Sequence, residues 1–255
     1  MRGLDGQTVI VTGGGGGIGG AASRRLAAEG ARVGVCDIDG AAAAATAMAI
    51  TDAGGSAEPV TLDITDYDAV TRAVAAVEAA LGPVGGLVNN AGWDRFQPFL
   101  KTTPDFWQQV ISINLVGALN MLHAVLPGMV ERADGRVVSV ASDAARVGSS
   151  GESVYSACKG GLVSLSKTLA REHARHGLVV NVVCPGPTET ALLDNVAASA
   201  NDPAKLKEAF RRAVPLGRLG QPEDLAGAIA FLVSADAGYI TGQVISVSGG
   251  LTMNG

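Results

Sequence analysis

Only 4% of the 255 residues are aromatic, so the core cannot rest on stacked rings and must be built from Ala, Val, Leu and Ile. Those are plentiful: hydrophobic residues make up 47% and the mean hydropathy is +0.29. Cysteine is scarce. Cys36, Cys158 and Cys184 are odd in number and far apart, with neither Cys-x2-Cys spacing nor a nearby histidine. That excludes a disulfide frame and a metal site, and fits reduced cytoplasmic thiols. Basic runs are missing and the net charge is −5, which argues against nucleic acid or an anionic membrane as partner. No apolar signal region follows Met1 and no uninterrupted apolar run reaches ~18 residues, so no membrane span is expected.

Glycine, by contrast, is abundant at 35 residues. Five stand together between the apolar run Thr8-Val-Ile-Val-Thr12 and the helical pattern Gly20-Ala-Ala-Ser-Arg-Arg-Leu-Ala-Ala-Glu29, and a second strand follows in Ala31 to Asp37. In a strand–turn–helix, Gly13, Gly16, Gly17 and Ile18 let the backbone approach a pyrophosphate, whose charge the helix N-terminus favours. A flexible linker would not sit between an apolar strand and an Ala/Leu helix. Asp37 ends the second strand at about the ~20-residue offset where an acid binds the adenosine ribose hydroxyls; the plainer alternative is a turn with Asp39 and Gly40. No Arg or Lys stands among Gly13 to Gly20, and Ile38 follows the acid. NAD is therefore expected over NADP.

Strands and helices alternate to the end. Strands are predicted at 8–12, 31–37, 57–62, 86–89, 135–141, 178–184 and 243–247. Helices are predicted at 20–29, 40–53 and 67–81, from Thr103 on toward Val130, then at 153–176 and 221–234. Such alternation gives an α/β fold: a single doubly wound domain over residues 1–255, with a seven-stranded parallel sheet and helices on both faces. The irregular segment 186–219, Ala/Ser/Asn-rich over Val196 to Asn201, leaves the carboxyl end of a parallel strand and reads as a substrate lid.

A second motif is Ser142-x12-Tyr155-x3-Lys159. On a helix, Tyr155 and Lys159 share one face about one turn apart. An ammonium beside the phenol should pull it below its usual ~10. Ser142, closing a strand, can offer a hydroxyl to the same substrate oxygen. Tyr-x3-Lys alone is weak; with the glycine turn it points to proton transfer at an alcohol oxygen.

With these motifs in place the chain, from Gln7 onward, resembles the short-chain dehydrogenase/reductase family of the classical (Rossmann-fold) type. The family's glycine motif stands as Thr12-Gly13-x3-Gly17-Ile18-Gly19, and its Asn-Asn-Ala-Gly as Asn89-Asn90-Ala91-Gly92. The resemblance implies that Asn114 completes a tetrad with Ser142, Tyr155 and Lys159 and holds a water. It implies that Asp63 and Ile64 lie beside the adenine, and that Asn90, Ala91 and Gly92 face the cofactor. Pro185, Gly186, Thr188 and Thr190 would wrap the nicotinamide, with Tyr155 and Lys159 also touching the cofactor. A homotetramer is implied as well, and apolar positions around the 153–174 helix (Leu162, Val163, Leu165, Leu169) agree with it.

Substrate-side segments, including Ala91-Gly-Trp-Asp94, Ala141 to Gly151, Thr168 to Gly177 and Ser248 to Gly255, are similar to the branch that oxidises 2-hydroxycyclohexanecarboxyl-CoA in anaerobic degradation of aromatic and alicyclic acids. The expectation is thus NAD-dependent oxidation of a secondary alcohol on a CoA thioester. Alternatives are a 3-oxoacyl-thioester (ACP or CoA) reductase, for which NADPH and a basic residue near the glycines would be usual, or a cofactor-sensing protein needing no proton relay. Trp93, Arg95, Asp143, Arg146, Val147, Ser149 and Leu192 are the expected substrate neighbours, the ring against Trp93, Val147 and Leu192. Arg95, Arg146, Arg211, Arg212 and Arg218 are candidates for the CoA phosphates. Trp107 and His123 are expected to pack.

Overall fold

Every residue of the strand β1 (Thr8–Thr12) is buried, as a central strand covered on both faces requires. Its side chains alternate: Val9 and Val11 pack into one apolar layer, Ile10 into the other. In the computed structural model, which describes residues 1–198 and 202–253, β1 is followed by α1 (Gly17–Ala28), β2 (Arg32–Asp37), α2 (Gly40–Asp52), β3 (Ser56–Thr61), α3 (Tyr67–Leu81) and β4 (Val84–Asn89). Then come α4 (Pro104–Ile111), a π-helical turn (Ser112–Val116), α5 (Gly117–Arg132), β5 (Gly135–Val140), the short α6 (Ala144–Val147) and α7 (Ser153–His173). The chain continues through β6 (Leu178–Pro185), α8 (Ala191–Ala198), α9 (Pro203–Ala213), α10 (Pro222–Val233) and β7 (Val244–Val247).

The seven strands form one parallel sheet in the order β3-β2-β1-β4-β5-β6-β7. Helices α1, α2 and α10 cover one face through Leu26, Ile50, Leu225 and Ile229; α3, α5 and α7 cover the other through Val77, Met121, Met129 and Ala170. Each such fully buried Leu, Ile or Met contributes roughly 1.5–3 kcal/mol. Pro59, which donates no ladder hydrogen bond, lies in β3 at the sheet edge.

Three expectations need correction. The helix predicted from Thr103 toward Val130 is not uniform, because Ser112–Val116 winds as a π turn. The segment 186–219 is largely helical, forming α8 and α9; Ser199 to Asn201 lie outside the described residues, as do Asn254 and Gly255. Finally, although no uninterrupted apolar run reaches ~18 residues, the helical stretch Pro104–Arg132 is long and apolar enough to cross a membrane by length and composition. It is a core helix by packing: Met121, Leu122, Val125 and Met129 are buried against the sheet.

Candidate active site

Sheet growth reverses direction between β1 and β4, which leaves a crevice at the carboxyl ends of the strands. A cavity of about 880 Å³ opens there, lined from the ends of β2, β3, β4, β5 and β6 and roofed by α8 and α9.

One half is built from the glycine turn. Gly13 has φ +63°, and a Cβ at Gly19 would lie 2.1 Å from the Gly13 carbonyl oxygen, so a side chain fits at neither position. α1 starts with no side-chain cap and no acid in its first turn. Its free N–H groups, at Gly17 and Ile18 on the cavity wall, suit an anion. The Asn90 side-chain amide donates to the carbonyls of Thr12 (2.9 Å) and Gly13 (3.3 Å), while the Thr12 hydroxyl accepts from the amides of Asn90 and Ala91. These bonds pin the loop after β4 to the turn. The Asp37 carboxylate, accepting from the Gly15 amide at 2.9 Å, also faces the cavity. Asp63, Ile64, Ala91, Gly92, Pro185, Gly186, Thr188, Thr190 and Gly16 complete this half. An uncapped helix start beside a strand-end carboxylate fits a nicotinamide dinucleotide.

The other half brings Ser142, Tyr155 and Lys159 to one wall. Tyr155 and Lys159 are both buried on α7, with Lys159 Nζ 5.5 Å from the Tyr155 ring centre. That ammonium donates to the Val140 carbonyl at 3.0 Å. Asn114 sits behind the wall on the π turn, 1% exposed. It accepts from the Trp93 amide at 3.1 Å and donates to the carbonyls of Trp93 (2.6 Å) and Val110 (2.9 Å).

Electrostatics depart from the sequence reading. The Tyr155 phenol is not held below its usual range but well above it: burial pushes it up, and the negative charges of Glu152 and Asp94 add to that, against the hydrogen bond with Ser142. Lys159 is lowered to about 8, again by burial. Desolvation is the largest cause of both shifts. Tyr155 therefore holds its proton at neutral pH.

Trp93, Asp143, Val147, Ser149 and Leu192 all line the cavity. Arg95 and Arg146 do not, nor do the other candidate arginines. The Arg95 guanidinium lies over the Phe106 ring at 5.2 Å. Arg146 donates to Ser246 Oγ at 3.0 Å. Arg211 and Arg212 pair with Glu208, and Arg218 with Asp224. Lys159 is the one cation on the cavity wall among the described residues. Trp107 packs elsewhere, donating to Thr102 Oγ1 at 2.6 Å, and His123 is hydrogen-bonded to the Tyr67 hydroxyl.

Residues 13–252 match the family model described as Enoyl-(Acyl carrier protein) reductase. The chain is a short-chain dehydrogenase/reductase. As such it is an oxidoreductase of CH–OH groups that works with a nicotinamide cofactor. It is 44% identical over 188 residues to acetoacetyl-CoA reductase of Rhizobium meliloti (strain 1021), covering 74% of this chain and 76% of that one. It is 35% identical over 250 residues to 3-oxoacyl-[acyl-carrier-protein] reductase FabG of Thermotoga maritima, covering 98% and 99%. The crystal structure of levodione reductase superposes with a TM-score of 0.94 at 33% identity, covering 96% of this chain and 97% of that one.

Two acids of this dehydrogenase/reductase site were not among the sequence candidates. Glu152 lies on the cavity wall, and Asp94, 2% exposed, lies close enough to act on both Glu152 and Tyr155. The three-residue spacing from Glu152 to Tyr155 was a usable signal, since such residues neighbour each other at a helix start. For Asp94 the one signal was its place at the end of the segment Ala91-Gly-Trp-Asp94; only the tertiary fold brings the loop after β4 against α7.

Proposed function

We propose that this chain is an NAD-dependent oxidoreductase that interconverts a 3-oxoacyl and a 3-hydroxyacyl thioester, a CoA thioester above all, in the cytoplasm. The observation that carries the chemistry is the convergence of Ser142, Tyr155 and Lys159 on the cavity that also holds the uncapped start of α1 and Asp37. The thioester class is supported by the relatives, which are named as acetoacetyl-CoA and 3-oxoacyl-carrier reductases. They favour the reductase alternative over oxidation of 2-hydroxycyclohexanecarboxyl-CoA; no named relative supports the alicyclic substrate or a place in aromatic degradation.

In this reading the start of α1 takes the cofactor diphosphate and Asp37 takes the adenosine ribose hydroxyls. Asp63 and Ile64 flank the adenine, and Asn90, Ala91, Gly92, Pro185, Gly186, Thr188 and Thr190 hold the nicotinamide end. When bound, the cofactor supplies or accepts the hydride. Tyr155 gives its proton to the ketone oxygen in reduction and takes it back in oxidation, work typically worth roughly 10²–10⁴-fold. The Ser142 hydroxyl steadies the developing oxyanion. Lys159 compensates negative charge on the phenol oxygen, and Asn114 fixes the Trp93 backbone and a water that leads protons outward. α8 and α9 act as the lid, with Leu192, Leu193 and Phe210 on its inner side.

Asp37 supports NAD because its charge repels a 2′-phosphate and no cation on the cavity wall stands beside it among the described residues. The test is a panel of initial rates: acetoacetyl-CoA, an acyl-carrier 3-oxo thioester, 2-ketocyclohexanecarboxyl-CoA and cyclohexanone, each with NADH and NADPH. Acetoacetyl-CoA with NADH should lead, and NADH should exceed NADPH by more than ~10-fold in kcat/KM. Equal rates for cyclohexanone and acetoacetyl-CoA would contradict the thioester reading, and equal use of both nucleotides would contradict the cofactor reading.

A further inference from the structure

The charged groups of the cavity wall are uneven. Asp37 and Asp63 stand at the cofactor end; Asp143 and Glu152 stand at the catalytic end. Lys159 is the single cation among the described wall residues, and its ammonium is held by the Val140 carbonyl. Asp143 is 4% exposed, accepts from Ser246 Oγ through one oxygen at 2.5 Å, and has no partner at the other. Glu152 is half-buried and bonded to Ser149. Neither Glu152 nor the buried Asp94 behind it forms an ion pair among the described residues, and one oxygen of Asp94 also lacks a partner.

We propose that Glu152 is a specificity-determining residue that, with Asp143, makes the substrate end of the cavity accept an uncharged acyl carbonyl and reject a free carboxylate. This inference rests on the proposed ketone reduction and names the chemistry next to the reacting carbonyl.

The carbonyl of a thioester or ester is a neutral acceptor, so it meets no charge repulsion from these carboxyls. A free 3-oxo acid brings a further negative charge to a wall whose one cation among the described residues already donates to the Val140 carbonyl. The phosphates of CoA lie at the far end of the pantetheine arm, so the same wall does not exclude a CoA ester. Burial raises Glu152 above the usual carboxylate range, and Asp94 to about 7. On the same cavity wall stand Tyr155, Lys159 and Asp143, and Asp94, from the loop after β4, lies behind it. As pH rises through about 7 Asp94 ionises behind Glu152, so rejection of a carboxylate should sharpen between about pH 6 and pH 8.

The experiment compares kcat/KM for ethyl acetoacetate and for acetoacetate, at pH 6 and pH 8, in the native chain, Glu152→Gln and Glu152→Ala, with acetoacetyl-CoA alongside. NADH binding by fluorescence checks that each variant is folded. The ester-to-acid ratio of the native chain should rise with pH. In both variants it should fall at least ~10-fold at pH 8, through better use of acetoacetate. A ratio that stays within twofold in a variant that binds NADH overturns the inference, as does a parallel loss on both substrates. If acetoacetyl-CoA is a poor substrate but the ratio still collapses, the inference stands and the thioester reading falls. If acetoacetyl-CoA is good and the ratio does not move, the reverse holds.

Discussion

Tyr155 and Lys159 illustrate what a sequence can and cannot convey about a residue. Their four-residue spacing places both on one face of α7, and the structure puts both on the cavity wall. The direction in which Tyr155 is shifted was not legible, because it depends on burial and on Asp94, which no local pattern ties to α7. The arginines failed for the opposite reason, a local one: Arg211, Arg212 and Arg218 have acid partners three to six residues away, Glu208 and Asp224. Asp94 itself gives a test. Its carboxyl rises from 3.8 to about 7 because it is buried. Between those values the folded chain binds more protons than the unfolded one, so stability falls as pH rises from about 4 to 7 and the full loss is present above 7. Asp94→Asn removes a charge that costs on the order of a few kcal/mol at pH 8. Urea denaturation should therefore show the variant more stable relative to native at pH 8 than at pH 5. An equal difference at both pH values would show that Asp94 ionises as freely in the folded state as in the unfolded one.

Among elements, those with strong period were readable. β1 is a continuous apolar run, and α3, predicted at 67–81, spans Tyr67–Leu81. α8 and α9 were missed because the Ala/Ser/Asn-rich stretch Val196 to Asn201 drew the whole segment into one irregular connection, although Pro203–Ala213 is amphipathic and Asp202 caps α9 through the Lys205 amide. The π turn was also unreadable: Ser112-Ile-Asn-Leu-Val116 has no Pro or Gly to mark a break. Such single turns are often found at functional sites, and this one carries Asn114. Replacing Asn114 with Ala would strand the half-buried N–H and C=O of Trp93 and cost roughly 2–6 kcal/mol, at ~1–3 kcal/mol per unsatisfied group. Chemical denaturation should show that loss together with slower turnover. A variant as close to native as an ordinary surface change leaves it (~0.5 kcal/mol) would mean that the Trp93 loop is held by other contacts.

At the scale of the whole molecule, the layered sheet, its alternation and its single domain were legible because every strand and most helices announce themselves by composition. Assembly was less so. The sequence pattern sets Leu162, Val163, Leu165 and Leu169 of α7 toward a second subunit, yet Leu162 is buried and the other three pack on apolar clusters of the same chain. The proposed homotetramer is better supported by exposed apolar residues elsewhere: Leu119 on α5, and Tyr239 and Met253 near β7. Light scattering should give about 100 kDa, four times 25.6 kDa; a single-chain mass at micromolar concentration would rule the tetramer out. The most direct test of the central claim follows the hydride. NADH deuterated at the transferring C4 position, incubated with acetoacetyl-CoA, should yield 3-hydroxybutyryl-CoA with deuterium at C3. Tyr155→Phe should still bind NADH but form that product at least ~100-fold more slowly, since only the proton path is lost. Product without deuterium at C3, or formed at the native rate by Tyr155→Phe, would contradict the assignment.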